Sequence, residues 1–135
     1  MPREVGLEKA QTILVTEDDL SVRELIAFLL EKDGYTVLKA RNSREAVFIS
    51  EAFPGPIHLL MTDLDMTPYA NGCELARQLR ESRPNLRVMY VSGYVEDEAL
   101  HEELINGAVF LPKPFTPGEL LNGAHRALEV TVPTL

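Results

Sequence analysis

The chain has 135 residues, enough for one domain with a sizeable core and too few for two. Its 45% apolar and 25% charged content is that of a folded globular domain, not of a disordered chain. A net charge of -8 speaks against a nucleic-acid partner, because phosphate backbones are held by Lys/Arg patches, and a single cysteine, Cys73, excludes an internal disulfide and fits a reducing compartment.

The first eleven residues form a polar lead-in whose mixed charges lack the apolar stretch of a signal peptide. Ile13-Leu14-Val15 is then a short strand that breaks into Glu17-Asp18-Asp19. Val22, Leu25, Ile26, Leu29 and Leu30 recur at helical spacing and predict an amphipathic helix with those residues inward. This segment also holds the longest apolar run, Leu25 to Leu30, far too short to cross a bilayer; a cytoplasmic protein without a membrane partner is expected. Asp33-Gly34 closes the helix and Tyr35-Thr36-Val37-Leu38 is the second strand. Asn42 and Glu45 resemble a capping box for a second helix carrying Ala46, Ile49 and Phe53. After Pro54-Gly55-Pro56, the apolar run over 57–61 has the pattern of a strand covered on both faces.

A third helix is predicted over 73–82 through Leu75, Ala76 and Leu79, ended by Pro84, and a fourth strand over 87–91. A weaker helix follows over 96–105, then a short fifth strand at Val109-Phe110-Leu111. Thr116-Pro117-Gly118-Glu119 is a helix start with a capping threonine, proline at the first helical position and glutamate at the third. Leu120, Leu121, Ala124, Ala127 and Leu128 supply that helix's buried face. Five strands alternating with five helices predict an α/β domain over 12–130, with a parallel sheet covered on both sides. Only the tail 131–135 remains, so no effector domain is expected after it.

In such a sheet, ligands bind beyond the carboxyl ends of the strands. Strand one ends in Glu17 and Asp18, strand three in Asp63 and Asp65, strand four in Ser92 and Gly93, and strand five in Lys113 and Pro114. Carboxylates gathered there must take up protons or a cation, and magnesium suits oxygen ligands while keeping waters for an incoming phosphate. A phosphoryl group on Asp63 would need its other oxygens neutralised, and the Ser92 hydroxyl and the Lys113 ammonium are suitable donors. Singly these are ordinary features: an acidic pair is most often a cap or a solvated loop, and Lys-Pro is common in turns. His58, His101 and His125 lie on separate predicted elements and form no metal pattern.

Joined in chain order, ILVTEDD, LLMTDLDM, VMYVSGY and FLPKPF resemble the motifs of response-regulator receiver domains of two-component signalling. The resemblance runs from about Ile13 to Glu129. It implies a flavodoxin-like doubly wound sheet of strand order 2-1-3-4-5. It also implies Asp63 as phosphoacceptor, and Glu17, Asp18 and the Asp65 backbone carbonyl around Mg2+ or Mn2+. Ser92 would be the switch hydroxyl, Lys113 the phosphate-pairing lysine behind a cis Lys113-Pro114 bond, and Phe110 the aromatic coupled to Ser92. Gly93 and Tyr94, with the Asp65 side chain, would tune access to the phosphoryl group and its lifetime. The implied partners are a sensor histidine kinase or histidine phosphotransfer protein, and a downstream protein or second copy at the surface of helix four, strand five and helix five. Such a domain promotes its own phosphorylation and slow dephosphorylation without being a turnover enzyme.

The chain departs from the family pattern in three places. The first acid is Glu17 rather than Asp, Asp65 is an unusual acid, and the loop 66–72 is one residue longer than the common one. The segments SGY and KPF look like those of hybrid-kinase receivers, where the domain is part of a longer protein. Asp63-Leu64-Asp65-Met66-Thr67 also spells the nucleophile motif of haloacid-dehalogenase-type phosphatases, with Asp65 as general acid and base. That reading leaves Glu17 and Asp18 without a role. A third alternative is a receiver-like module that binds a partner without phosphorylation.

Overall fold

A computed structural model describes residues 10–65, 69–93 and 107–129. Five parallel strands run in chain order: β1 (Thr12–Thr16), β2 (Thr36–Ala40), β3 (Leu59–Asp63), β4 (Arg87–Ser92) and β5 (Val109–Pro112). They lie side by side as β2-β1-β3-β4-β5, the flavodoxin-like order expected. The helices among the described residues are α1 (Leu20–Lys32), α2 (Ser43–Ala52), α3 (Gly72–Ser82) and α4 (Pro117–Glu129). The helix expected over 96–105 lies outside the described residues, so four helices are described where five were predicted; α4 is the fifth of the sequence reading.

The sheet is a middle layer because its strands alternate. Leu14, Leu60, Val88 and Tyr90 face a core shared with Ala46 of α2 and Leu75, Ala76 and Leu79 of α3. Ile13, Val15, Leu59, Met61, Met89 and Val91 face the other way, against Ile26 and Leu30 of α1 and Leu120, Ala124 and Ala127 of α4. The central strands β1 and β3 are buried along their whole length, as their unbroken apolar runs require, while β2 and β5 are edges.

Several boundaries differ from expectation. The third strand begins at Leu59 and runs through Asp63, two residues later than predicted; the Thr12 N–H goes to the His58 imidazole at 2.9 Å instead of a strand carbonyl. Leu25, expected inward on α1, is 51% exposed, and Ala27 is buried on the inward side instead. The capping box predicted at Asn42 forms only in half. The Asn42 side chain accepts the Glu45 N–H at 2.8 Å, but the Glu45 carboxylate accepts the Arg41 N–H at 2.9 Å, so the box closes one residue early. The Thr116–Glu119 box forms as predicted, with bonds of 2.8 and 3.1 Å. Gly34, with φ of 100°, ends α1 in the left-handed conformation a side chain would resist. The Lys113-Pro114 bond is cis, as the resemblance implied.

Two devices had no sequence reading. Asn71 and Glu74 form a reciprocal capping box at the start of α3, each bond 2.9 Å. Arg83, just past α3, spreads its guanidinium over the end of α2. It donates to the carbonyls of Ser50 (2.9 Å), Phe53 (3.0 Å) and Gly55 (2.9 Å) and to Ser50 Oγ (2.9 Å). Helix ends leave such carbonyls without intrahelical partners, and Arg83 supplies them from a distant part of the chain.

Candidate functional site

The carboxyl ends of β1, β3, β4 and β5 converge at one edge of the sheet, and side chains predicted to carry chemistry meet there. Glu17 follows β1 and is only 2% exposed; its backbone N–H is held by the Ala40 carbonyl at 3.0 Å. Asp18 beside it is exposed, and Asp19 turns away to cap α1 by accepting the Val22 N–H at 3.0 Å. Asp63 is the last residue of β3 and is buried. Carboxylate oxygens of Glu17, Asp18 and Asp63 lie within 4.8 Å of one another.

Lys113 reaches into this cluster from the residue after β5. Its Nζ donates to Glu17 Oε1 at 2.9 Å and to Asp63 Oδ2 at 3.0 Å. Its backbone N–H is fixed by the Ser92 carbonyl at 3.0 Å, which carries the β4–β5 ladder up to the site. Burial works against the Lys113 ammonium, but its bonds to Glu17 and Asp63 outweigh that cost and hold its pKa above the ordinary lysine value. Burial raises the Glu17 pKa above the ordinary glutamate value; the bond from Lys113 opposes this without cancelling it. Both shifts describe one arrangement: a cation satisfied by two acids, and an acid too deeply placed to be fully satisfied by one shared ammonium.

Asp65 sits just beyond β3. Its backbone N–H donates to Asp63 Oδ1 at 3.1 Å, which orients the Asp63 carboxylate. Its own carboxylate is directed sideways: Asp65 Oδ2 stands 3.4 Å from Ser92 Oγ, at the long limit for a hydroxyl hydrogen bond. Ser92 ends β4 and is 1% exposed. Among the described residues, a Cβ at Gly93 would meet no neighbour within 4 Å. Phe110 is half-buried on β5, opposite Tyr90 in register and against the core shared with α2 and α3. Gly72, at the start of α3, is required by a close approach of the backbone, since a Cβ there would lie 2.6 Å from the Asp63 carbonyl oxygen. Tyr94 and Thr67 lie outside the described residues. His58 and His125 have separate partners, one accepting the Thr12 N–H at 2.9 Å and the other meeting Asp33 at 2.7 Å.

The donor set fits a hard divalent cation. Three carboxylates within reach of one oxygen-coordinated ion, one of them exposed, leave room for the waters magnesium retains. The raised Glu17 pKa points the same way, since a buried carboxylate beside a second one is short of positive charge.

Comparison with known proteins decides the family. Residues 13–125 match the family model described as the response regulator receiver domain. The chain belongs to the response-regulator receiver family. It is 36% identical over 125 residues to the sensor kinase CckA of Brucella abortus, a match that covers 91% of this chain and 13% of that protein. It is 35% identical over 118 residues to the response regulator receiver protein CpdR of the same organism, covering 86% of this chain and 95% of that one. Among solved structures, a CheY-like receiver domain protein from Methanospirillum hungatei superposes with a TM-score of 0.79 at 27% identity, over 90% of this chain and 95% of that chain. The receiver domain of the hybrid histidine kinase CckA gives 0.73 at 35% identity, over 87% and 99%. The receiver is thus a phosphorylation-activated signalling switch of a two-component system, a signalling domain and not a turnover enzyme. No helix among its described residues is long and apolar enough to cross a membrane.

Three features of the receiver's site escaped the sequence reading: the direct Glu17–Lys113 bond, the Asp65–Ser92 approach, and Arg23, whose Nη1 donates to the Glu17 carbonyl at 2.8 Å. The first had a visible signal in the glutamate at position 17, whose extra methylene lengthens the arm toward Lys113. The other two had none.

Proposed function

We propose that Asp63 accepts a phosphoryl group from a phosphohistidine on a sensor kinase or histidine phosphotransfer protein. In this reading Glu17, Asp18, Asp63 and the Asp65 backbone carbonyl hold Mg2+, with Mn2+ an acceptable substitute. The unit responsible is 12–130, flanked by the lead-in 1–11 and the tail 131–135. The observation that carries the reading is Asp63 itself: a buried strand-end carboxylate that shares Lys113 with Glu17 and stands within 4.8 Å of Glu17 and Asp18.

The residues divide the work between them. The Asp65 N–H presents one Asp63 oxygen and Lys113 holds the other, so the attacking carboxylate has a defined orientation before a donor arrives. Bound metal would supply positive charge against the transferring phosphoryl oxygens. As negative charge builds on Asp63, Lys113 gains a stronger partner and leaves Glu17, and the Ser92 hydroxyl turns from Asp65 to a phosphoryl oxygen. Movement at Ser92 frees space for Phe110, and the surface around β5 and α4 changes shape for a downstream protein or a second copy. Gly93, with no side chain of its own, leaves a donor imidazole room to approach, while Asp65 and Tyr94 tune the lifetime of the aspartyl phosphate. The family match lends no support to a phosphatase built on Asp63, Asp65 and Thr67.

The test is intact-mass measurement after incubation with Mg2+ and acetyl phosphate. One added phosphoryl group is expected on the wild type, dependent on metal and absent from Asp63→Asn. An adduct that persists in Asp63→Asn would move the acceptor elsewhere, and steady turnover of phosphomonoesters without an adduct would overturn the switch.

A further inference from the structure

Arg23 is used in an unexpected way. It lies on the first turns of α1, within reach of an acidic cluster, yet makes no ion pair among the described residues; its Nη1 donates instead to the Glu17 backbone carbonyl at 2.8 Å. That carbonyl is the first beyond β1, where the strand ladder has ended at Thr16. The peptide it belongs to links Glu17 to Asp18, so whatever holds this oxygen sets the plane from which the Asp18 side chain departs.

The neighbouring groups show how completely the turn is constrained. The Glu17 N–H is held by the Ala40 carbonyl (3.0 Å), and the Asp19 N–H donates to Glu17 Oε2 (3.1 Å). The Asp19 carbonyl accepts the Arg23 N–H (2.9 Å) and the Asp19 side chain caps α1. Arg23 closes the remaining freedom: one residue clamps the turn from its backbone at Asp19 and from its side chain at Glu17. The exposed Asp18 carboxylate makes none of these turn bonds; it stands beside the Glu17 carboxylate in the cluster, and the peptide that carries it sets where its side chain departs.

We infer that Arg23 is a positioning residue for the metal-binding acids, holding the Glu17–Asp18 peptide so that Asp18 points into the cluster with Glu17 and Asp63. The inference rests on the proposed metal role of those acids. It carries a sign that separates it from simple electrostatics. A guanidinium near a cation site repels the cation, so removing its charge alone would tighten metal binding. Removing a clamp does the opposite, because groups that orient metal ligands are worth about 10–100-fold in affinity.

The experiment is Mg2+ titration of the unphosphorylated protein, followed by amide chemical shifts and calorimetry, for wild type, Arg23→Met and Arg23→Lys. Urea unfolding in EDTA would first establish that each variant is folded. Arg23→Met is expected to bind Mg2+ about tenfold more weakly, and Arg23→Lys, whose ammonium can still reach the carbonyl, to recover most of that loss. Tighter or unchanged binding by Arg23→Met would overturn the positioning role while leaving the metal site intact. Wild-type protein that fails to bind Mg2+ would overturn the metal role itself, and the inference with it.

Discussion

Replacing Lys113 with methionine keeps the apolar stem and removes the ammonium that Glu17 and Asp63 share. Each hydrogen bond between charged partners is worth about 1.5–3 kcal/mol net, so the two lost bonds set an upper range of about 3–6 kcal/mol. The ammonium's own desolvation cost is recovered, which brings the expected loss down to about 2 kcal/mol. This loss should depend on metal. If Lys113 serves the resting site as an internal cation, Mg2+ competes with it, and its removal should favour Mg2+ by the same free energy that its absence costs the metal-free fold. At about 1.4 kcal/mol per factor of ten, 2 kcal/mol corresponds to Mg2+ binding about thirtyfold tighter in Lys113→Met. The assay is urea unfolding of both proteins followed by far-UV circular dichroism, in EDTA and in saturating Mg2+, beside direct Mg2+ titration. The variant should be about 2 kcal/mol less stable in EDTA and nearly equal to wild type in Mg2+. A deficit that is the same in both conditions, with unchanged Mg2+ affinity, would mean that Lys113 packs the site without balancing its charge.

Two further outcomes follow from particular contacts. Burial holds the Glu17 pKa above its ordinary value, so the folded protein keeps a proton there that the unfolded chain has already lost. The associated stability is complete below the ordinary glutamate range and disappears as pH rises through the raised value. Glu17→Gln, which mimics the protonated form, should match wild type at acid pH in EDTA and exceed it progressively through that window; a difference between the two that does not vary with pH would contradict the burial argument. Arg83→Met removes four hydrogen bonds from the end of α2, three of them to carbonyls that only water could then satisfy. A loss of about 2–3 kcal/mol in unfolding free energy is expected, with metal affinity unchanged, and a loss below about 0.5 kcal/mol would show that water replaces the guanidinium without cost.

The layered architecture was legible in the letters for a physical reason: strands buried on both faces are apolar through their middle, and the helices that cover them are apolar at every third or fourth position. Leu59-Leu60-Met61, Val88 to Val91 and the stripe on α4 fit that arrangement, and the chemistry-bearing residues then fell at strand ends by position alone. Glu17, Asp18, Asp63, Asp65, Ser92 and Lys113 were all legible in this way. Where local patterning offered two solutions, it failed. The spacing places Leu25 on the inner stripe of α1, but the helix turns Leu25 outward and Ala27 inward, a rotation that spacing alone does not fix. The start of β3 was set by its pairing with β1, which no local run of letters encodes.

Who shares charge with whom came only with the folded arrangement of the strands. Lys113 and Glu17 are 96 residues apart, and the reach of both arms into one buried space depends on strands from distant parts of the chain lying in register. The same holds for Arg83 over the end of α2 and for the approach of Asp65 to Ser92. Apolar burial is nearly additive along a chain and leaves a period that can be counted. Hydrogen bonds and ion pairs are directional and pairwise, and their partners exist only once the sheet has brought the strand ends together.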